Sequence, residues 1–104
     1  MVKDNSFYKY IIYDVLHNIQ GITSKSMFGG WGIYKNGKIF AIIIENELYF
    51  KESSGNKKYF EHISSHKFSY DRKGKTIEMA YWLVPEELLE NRQEIRELLE
   101  ISIK

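Results

Sequence analysis

The sequence predicts a single α+β domain. An antiparallel sheet of about five strands, made of a meander and a second hairpin, is flanked by N-terminal, middle and C-terminal helices. Three observations carry this. Asn36-Gly37 lies between two apolar runs, and both residues tolerate the positive φ of a type I′ turn, so residues 27–50 fold back on themselves. Asp71-Arg72-Lys73-Gly74-Lys75 separates Phe68-Ser69-Tyr70 from residues 77–84 in the same manner, with Gly74 as the positive-φ residue. Helical spacing of apolar residues occurs before residue 20, around residue 60 and after Pro85.

The first helix is capped by Asp4, Asn5 or Ser6 and buries Phe7, Tyr8, Ile11, Ile12, Val15, Leu16 and Ile19, with Gly21 placed as a C′ residue. Tyr10, Tyr13, Asp14 and His17 lie off this stripe, on an expected solvated edge. Residues 22–28 read as a strand, and Gly29-Gly30 lets the backbone bend before Trp31 re-enters the sheet. Counting outward from Asn36-Gly37 pairs Tyr34 with Ile39, Ile33 with Phe40, Gly32 with Ala41 and Trp31 with Ile42. Trp31, Ile33, Phe40, Ile42 and Ile44 then share one face, and Tyr34, Ile39, Ala41 and Ile43 the other. Both faces are apolar, so both are expected to be covered, by helices or by a second subunit. The shallow spot at Gly32 and Ala41 is where a helix or a second subunit could approach closely, the first helix being the first candidate.

A turn at Glu45-Asn46, or one residue later, returns the chain into Leu48-Tyr49-Phe50. Ser53 or Ser54 caps a short helix that carries Tyr59, Phe60 and Ile63 inward and ends near Ser64-Ser65. In the last strand Ile77, Met79, Tyr81 and Leu83 alternate with Glu78, Ala80, Trp82 and Val84. Pro85 stops it and opens a helix with Glu86 and Glu87 at its positive end. Asn91 caps a fresh start, so two short helices are expected, with Leu88, Leu89, Ile95, Leu98, Leu99 and Ser102 inward and Ile101 and Ile103 on a flank.

Composition narrows the chemistry. A chain of 104 residues makes one core and one domain spanning 1–104, burying roughly 65% of the unfolded surface. Zero cysteines remove disulfides, thiol nucleophiles, zinc ribbons and iron–sulfur clusters. Neither a signal peptide nor a membrane span is legible, which predicts a cytoplasmic protein without membrane partners. The net charge of +1 is unevenly spread: residues 1–75 hold 12 Lys or Arg against 7 Asp or Glu, and residues 76–104 hold 3 against 7.

Candidate sites are few. The Gly29-Gly30-Trp31-Gly32 run as a phosphate cradle lacks a following helix and the Lys-Ser/Thr of a P-loop, so a backbone bend is the preferred reading. His62 and His66 are four apart beside Glu61, but no third ligand is in register, and no metal site is assigned. A nucleic-acid contact would use Lys57, Lys58, Lys67, Arg72, Lys73 and Lys75, with the 71–75 tip as the most basic point of the chain. No Ser-His-Asp arrangement stands out, so no enzymatic activity, catalytic residue or cofactor is expected.

Laid end to end, several motifs resemble one family. Met27-Phe28-Gly29-Gly30-Trp31-Gly32 is followed by Tyr34-Lys35, Phe40-Ala41 and Leu48-Tyr49-Phe50-Lys51, then by Phe68-Ser69-Tyr70, Arg72-Lys73-Gly74 and Tyr81-Trp82-Leu83-Val84-Pro85-Glu86-Glu87. In order and spacing this is similar to the N-terminal domain of the TfoX (Sxy) competence regulators. The resemblance implies an α+β fold and a non-enzymatic bacterial regulatory role linked to natural transformation, acting on transcription. It makes Met27, Phe28, Gly29, Gly30, Trp31, Gly32, Tyr81, Trp82 and Pro85 the family-motif positions. Full-length regulators carry a second helical domain; the chain ends at Lys104, which predicts a stand-alone version. Arg92 stands where the family often has proline, a change expected to affect only how sharply the last helix starts. A protein partner, a second copy included, is the expected ligand.

Overall fold

The computed structural model describes residues 5–27 and 29–103. Six strands form one antiparallel sheet: β1 (Ile22–Met27), β2 (Gly30–Lys35), β3 (Lys38–Ile44), β4 (Glu47–Lys51), β5 (Lys67–Arg72) and β6 (Lys75–Leu83). Their order is β1-β2-β3-β4-β6-β5, so the meander is extended by a hairpin whose second strand joins β4. Helix α1 (Ser6–Tyr10) runs into a π-helical turn (Ile11–Val15), and α2 (Lys57–His62), α3 (Glu86–Leu89) and α4 (Arg92–Ser102) complete the fold.

The turns form where turn chemistry predicts. Asn36 and Gly37 have φ of 51° and 84°, and Lys73 and Gly74 have 50° and 79°. Tyr34 faces Ile39 as expected, but beyond it the register slips. Ile33 faces Ala41, Gly32 faces Ile42 and Trp31 faces Ile43, so Phe40 is an extra residue on β3. This bulge corrects the expected faces. Phe40 and Ala41 both turn to the core beside Ile33 and Ile43, while Ile42 and Ile44 join Ile39 on the opposite side. An all-apolar strand accepts either register by burial alone, which is why alternation failed here.

Each helix packs on one face of the sheet. Ile11, Val15, Leu16, Phe60, Leu88, Leu89, Ile95, Leu98 and Leu99 form a core with Ile33, Phe40, Ala41, Ile43, Leu48, Phe50, Trp82 and Val84. Trp31 lies under α1, stacked on Tyr8 at 3.9 Å, and the Tyr8 and Ser24 hydroxyls share a 2.6 Å hydrogen bond. The first helix widens into the π turn, where the Leu16 amide reaches back to the Ile11 carbonyl, and this coil ends at Val15, earlier than its stripe implies. Gly21 therefore closes no helix; its carbonyl accepts from the Asn36 amide beside the β2–β3 turn. Residues Asp4 and Phe28 lie outside the described residues, and β1 is described to Met27.

Asn91 caps α4, accepting from the Glu94 amide at 3.1 Å while its own amide donates to the Glu94 carboxylate. Pro85 is the N-cap of α3 rather than its first turn. Arg92 does more than set the helix start. Its guanidinium pairs with Asp14 at 3.0 Å, donates to the Leu89 carbonyl, and lies over the Tyr10 ring at 5.5 Å. Tyr10, expected on a solvated edge, thus packs against the core, whereas Tyr13 is exposed. The flank residue Ile101 also packs on the core, and Ile103 stays exposed.

Neither Ser53 nor Ser54 caps α2. That place belongs to Asn56, whose fully buried side chain is turned instead to the loop and to α4. Glu52 accepts from the Trp82 indole at 2.9 Å and pairs with Lys67 at 3.3 Å. The Trp82 bond foremost, and Lys67 after it, hold the Glu52 carboxyl below its ordinary value of 4.5 against the opposing pull of burial. A lowered folded value means that this contribution is complete above the ordinary value and is lost as pH falls through the lowered one. The stability difference between the natural chain and Glu52→Gln is therefore expected to be constant above about pH 5 and to fade in more acid buffer. Urea titrations across pH check it; a difference that grows on acidification contradicts the assignment.

Candidate interaction surface

Alternation fixes what lies on the face away from the helices. Met27, Gly32, Tyr34, Ile39, Ile42, Ile44 and Tyr49 point there from the meander, and Phe68, Tyr70, Ile77, Met79, Tyr81 and Leu83 from the hairpin, by their pairing with one another. Among the described residues no helix covers this face, contrary to the expectation that the first helix would lie on Gly32. The missing side chain of Gly32 instead makes room for its own face: a Cβ there would stand 2.7 Å from the Met27 sulfur and 3.3 Å from Ile39.

The face is concave. Ile39, Ile42 and Ile44 form the floor and Phe68, Tyr70, Met79 and Tyr81 the wall of a cavity of about 490 Å³. Two strands separate Tyr34 from Tyr81 in the sheet, yet Tyr34 acts on Tyr81 across the groove. The Tyr81 hydroxyl is pushed above its ordinary value by burial first and by Tyr34 second. Tyr49 contacts Phe68 edge-on at 5.3 Å, and Phe68 stacks on Tyr70 at 6.2 Å, giving an aromatic row along the wall.

Charge is divided along the strands. At the β3–β4 end the Tyr49 hydroxyl donates to the Glu47 carboxylate at 3.4 Å and Glu45 lies in the turn just before it; burial, then Glu47, then Glu45 push that hydroxyl upward. At the opposite end Arg72 and Lys75 face each other across the hairpin, on the side that carries Tyr70 and Ile77. That hairpin overhangs the sheet, because β4 pairs only with Tyr81, Trp82 and Leu83 of β6. Tyr70, Ile77 and Met79 are consequently 40, 36 and 38% exposed on its apolar side.

The sequence profile of the TfoX N-terminal domain matches residues 14–104. The chain belongs to this family. No match is found among curated proteins. The positions expected to form the family motif divide between the core and the groove. Trp82 and Pro85 serve the core and its helices, Met27, Gly32 and Tyr81 build the groove, and Trp31 does both, packing against the core while also lining the cavity. Gly30 is required by close approach, since a Cβ there would strike the Ile43 carbonyl of the neighbouring strand, and Gly29 takes the turn with φ of 76°.

The six basic residues expected to contact nucleic acid are dispersed over the TfoX domain. Lys57 and Lys58 lie in the first turn of α2, on the helix side of the sheet. Lys67 is bound to Glu52 and Glu78 and lies over Trp82. Arg72, Lys73 and Lys75 remain together and exposed at the hairpin tip. The groove itself was not legible as a unit, because the bulge at Phe40 decides which isoleucines floor it and a bulge has no signature in an all-apolar strand.

Proposed function

We propose that this TfoX N-terminal domain is a non-enzymatic regulatory module that docks a protein partner in its concave sheet face, within transcriptional control linked to bacterial competence. The observation that carries the reading is the cavity floored by Ile39, Ile42 and Ile44, an apolar surface left without a helix among the described residues. Contiguous apolar faces of this kind mark association sites. The shifted groups serve structure: Glu52 braces Trp82, Arg92 braces Tyr10, and the raised tyrosines owe their shifts first to burial.

Replacing Ile42 by lysine puts an ammonium group on the groove floor. In a host carrying this variant in place of the natural gene, transcript profiles are expected to match those of a deletion strain, while the purified variant keeps its circular dichroism spectrum. A natural transcript profile in the Ile42→Lys strain would sink the reading.

A second reading rests on Arg72, Lys73 and Lys75, three cations exposed together on an overhanging hairpin. It expects duplex DNA binding that weakens by about tenfold or more between 50 and 200 mM salt and is reduced by Arg72→Ala with Lys73→Ala. Fluorescence anisotropy with a labelled duplex measures this, and no binding at low salt removes it.

A further inference from the structure

The two charge clusters lie at opposite ends of one apolar face, and that placement selects an occupant. We propose that two copies of this chain clasp through their outer sheet faces about a two-fold axis running across the strands. Each β5–β6 hairpin then lies in the other copy's groove. The inference rests on the docking reading above and names the partner within it.

Charge fixes the direction. An axis along the strands would keep the basic ends of the two copies together and away from Glu45 and Glu47; an axis across the strands, tilted enough to offset the two strands between the hairpin and the β3–β4 turn, sets Arg72 and Lys75 against Glu45 and Glu47 of the second copy, twice per dimer. All four residues are exposed, within reach of a second molecule. Shape agrees. Face-to-face contact of two hollow sheets would leave a void, but the overhanging hairpin supplies the missing volume with Tyr70, Ile77 and Met79, its exposed apolar side. Six strands at about 4.8 Å spacing and roughly 3.3 Å rise per residue give a flat face on the order of 500 Å², to which side-chain relief and the inserted hairpin add, so the buried area falls at the lower end of the range for specific interfaces, below the ~800 Å² per partner of a standard one.

The experiment measures mass in solution by light scattering and sedimentation from about 1 µM to 1 mM at low salt. Arg72→Glu with Lys75→Glu, and separately Glu45→Lys with Glu47→Lys, are each expected to weaken the dimer about a hundredfold, since each makes like charges meet at both junctions. Mixing the two variants, or placing all four changes in one chain, restores opposite charges at both junctions and is expected to restore the dimer. That rescue also shows that the variants fold. A natural chain that stays monomeric to 1 mM overturns the proposal, as does a dimer indifferent to either charge reversal or not rescued by the combination. Mass gained only with added DNA overturns it too. A monomer whose Ile42→Lys variant still behaves as a deletion in transcript profiling refutes self-association alone and leaves the docking reading standing.

Discussion

Replacing Phe60 with alanine is expected to destabilise the domain by about 3–5 kcal/mol, the range for emptying a fully buried aromatic site. Phe60 is 0% exposed, and its ring lies parallel to Trp82 at 5.7 Å. It is the buried residue of a six-residue helix, so the substitution also loosens the hold of α2 on the sheet. For a domain of this size the loss corresponds to a fall in Tm of about 15 °C or more. Phe60→Leu, which refills much of the volume, should recover over half of it. A thermal or urea transition of Phe60→Ala within about 1 kcal/mol of the natural chain would show that α2 is not a working part of the core.

Asn56→Ala is expected to cost about 2–4 kcal/mol through a different mechanism, the stranding of backbone groups. The Asn56 carboxamide oxygen accepts from the Ser53 amide at 2.8 Å, and its nitrogen donates to the Lys51 carbonyl and the Ser102 hydroxyl, both at 2.9 Å. Alanine leaves the first two without that partner. Ser102 keeps its bond to the Leu98 carbonyl, so Ser102→Ala alone should be milder. In a double-mutant cycle the pair is expected to couple by about 1 kcal/mol. Zero coupling would mean that the link between the β4–α2 loop and α4 carries no stability.

The two turns, the split last helix and the alternation of β6 were all legible because each depends on local chemistry. Asn36-Gly37, Lys73-Gly74 and Asn91 announce themselves by conformational or capping preference. The same holds for Trp82 and Val84 against Tyr81 and Met79, where a polar neighbour such as Glu78 breaks the symmetry of the strand. Illegible features depended on distant partners. Asp14 reads as a solvated carboxylate until Arg92, in the last helix, arrives beside it. Asn56 reads as part of a polar turn until Ser102 closes over it. The groove required both the bulge at Phe40 and the hairpin joining β4 out of chain order, neither of which local pattern specifies.

The close approach of Gly30 to the Ile43 carbonyl bears on how the sheet chooses between alternatives while it forms. From Ile39 to Ile44 every residue is apolar, so a hairpin zipped one residue out of step buries nearly as much as the correct one. Burial therefore discriminates weakly between the two. Selection falls to shape: a bare backbone at residue 30 has to meet the carbonyl of residue 43, and a slipped pairing forfeits that fit. Alanine at position 30 would then do more than crowd the native sheet. By penalising the in-step arrangement, it would narrow the gap that separates the native sheet from its slipped competitor.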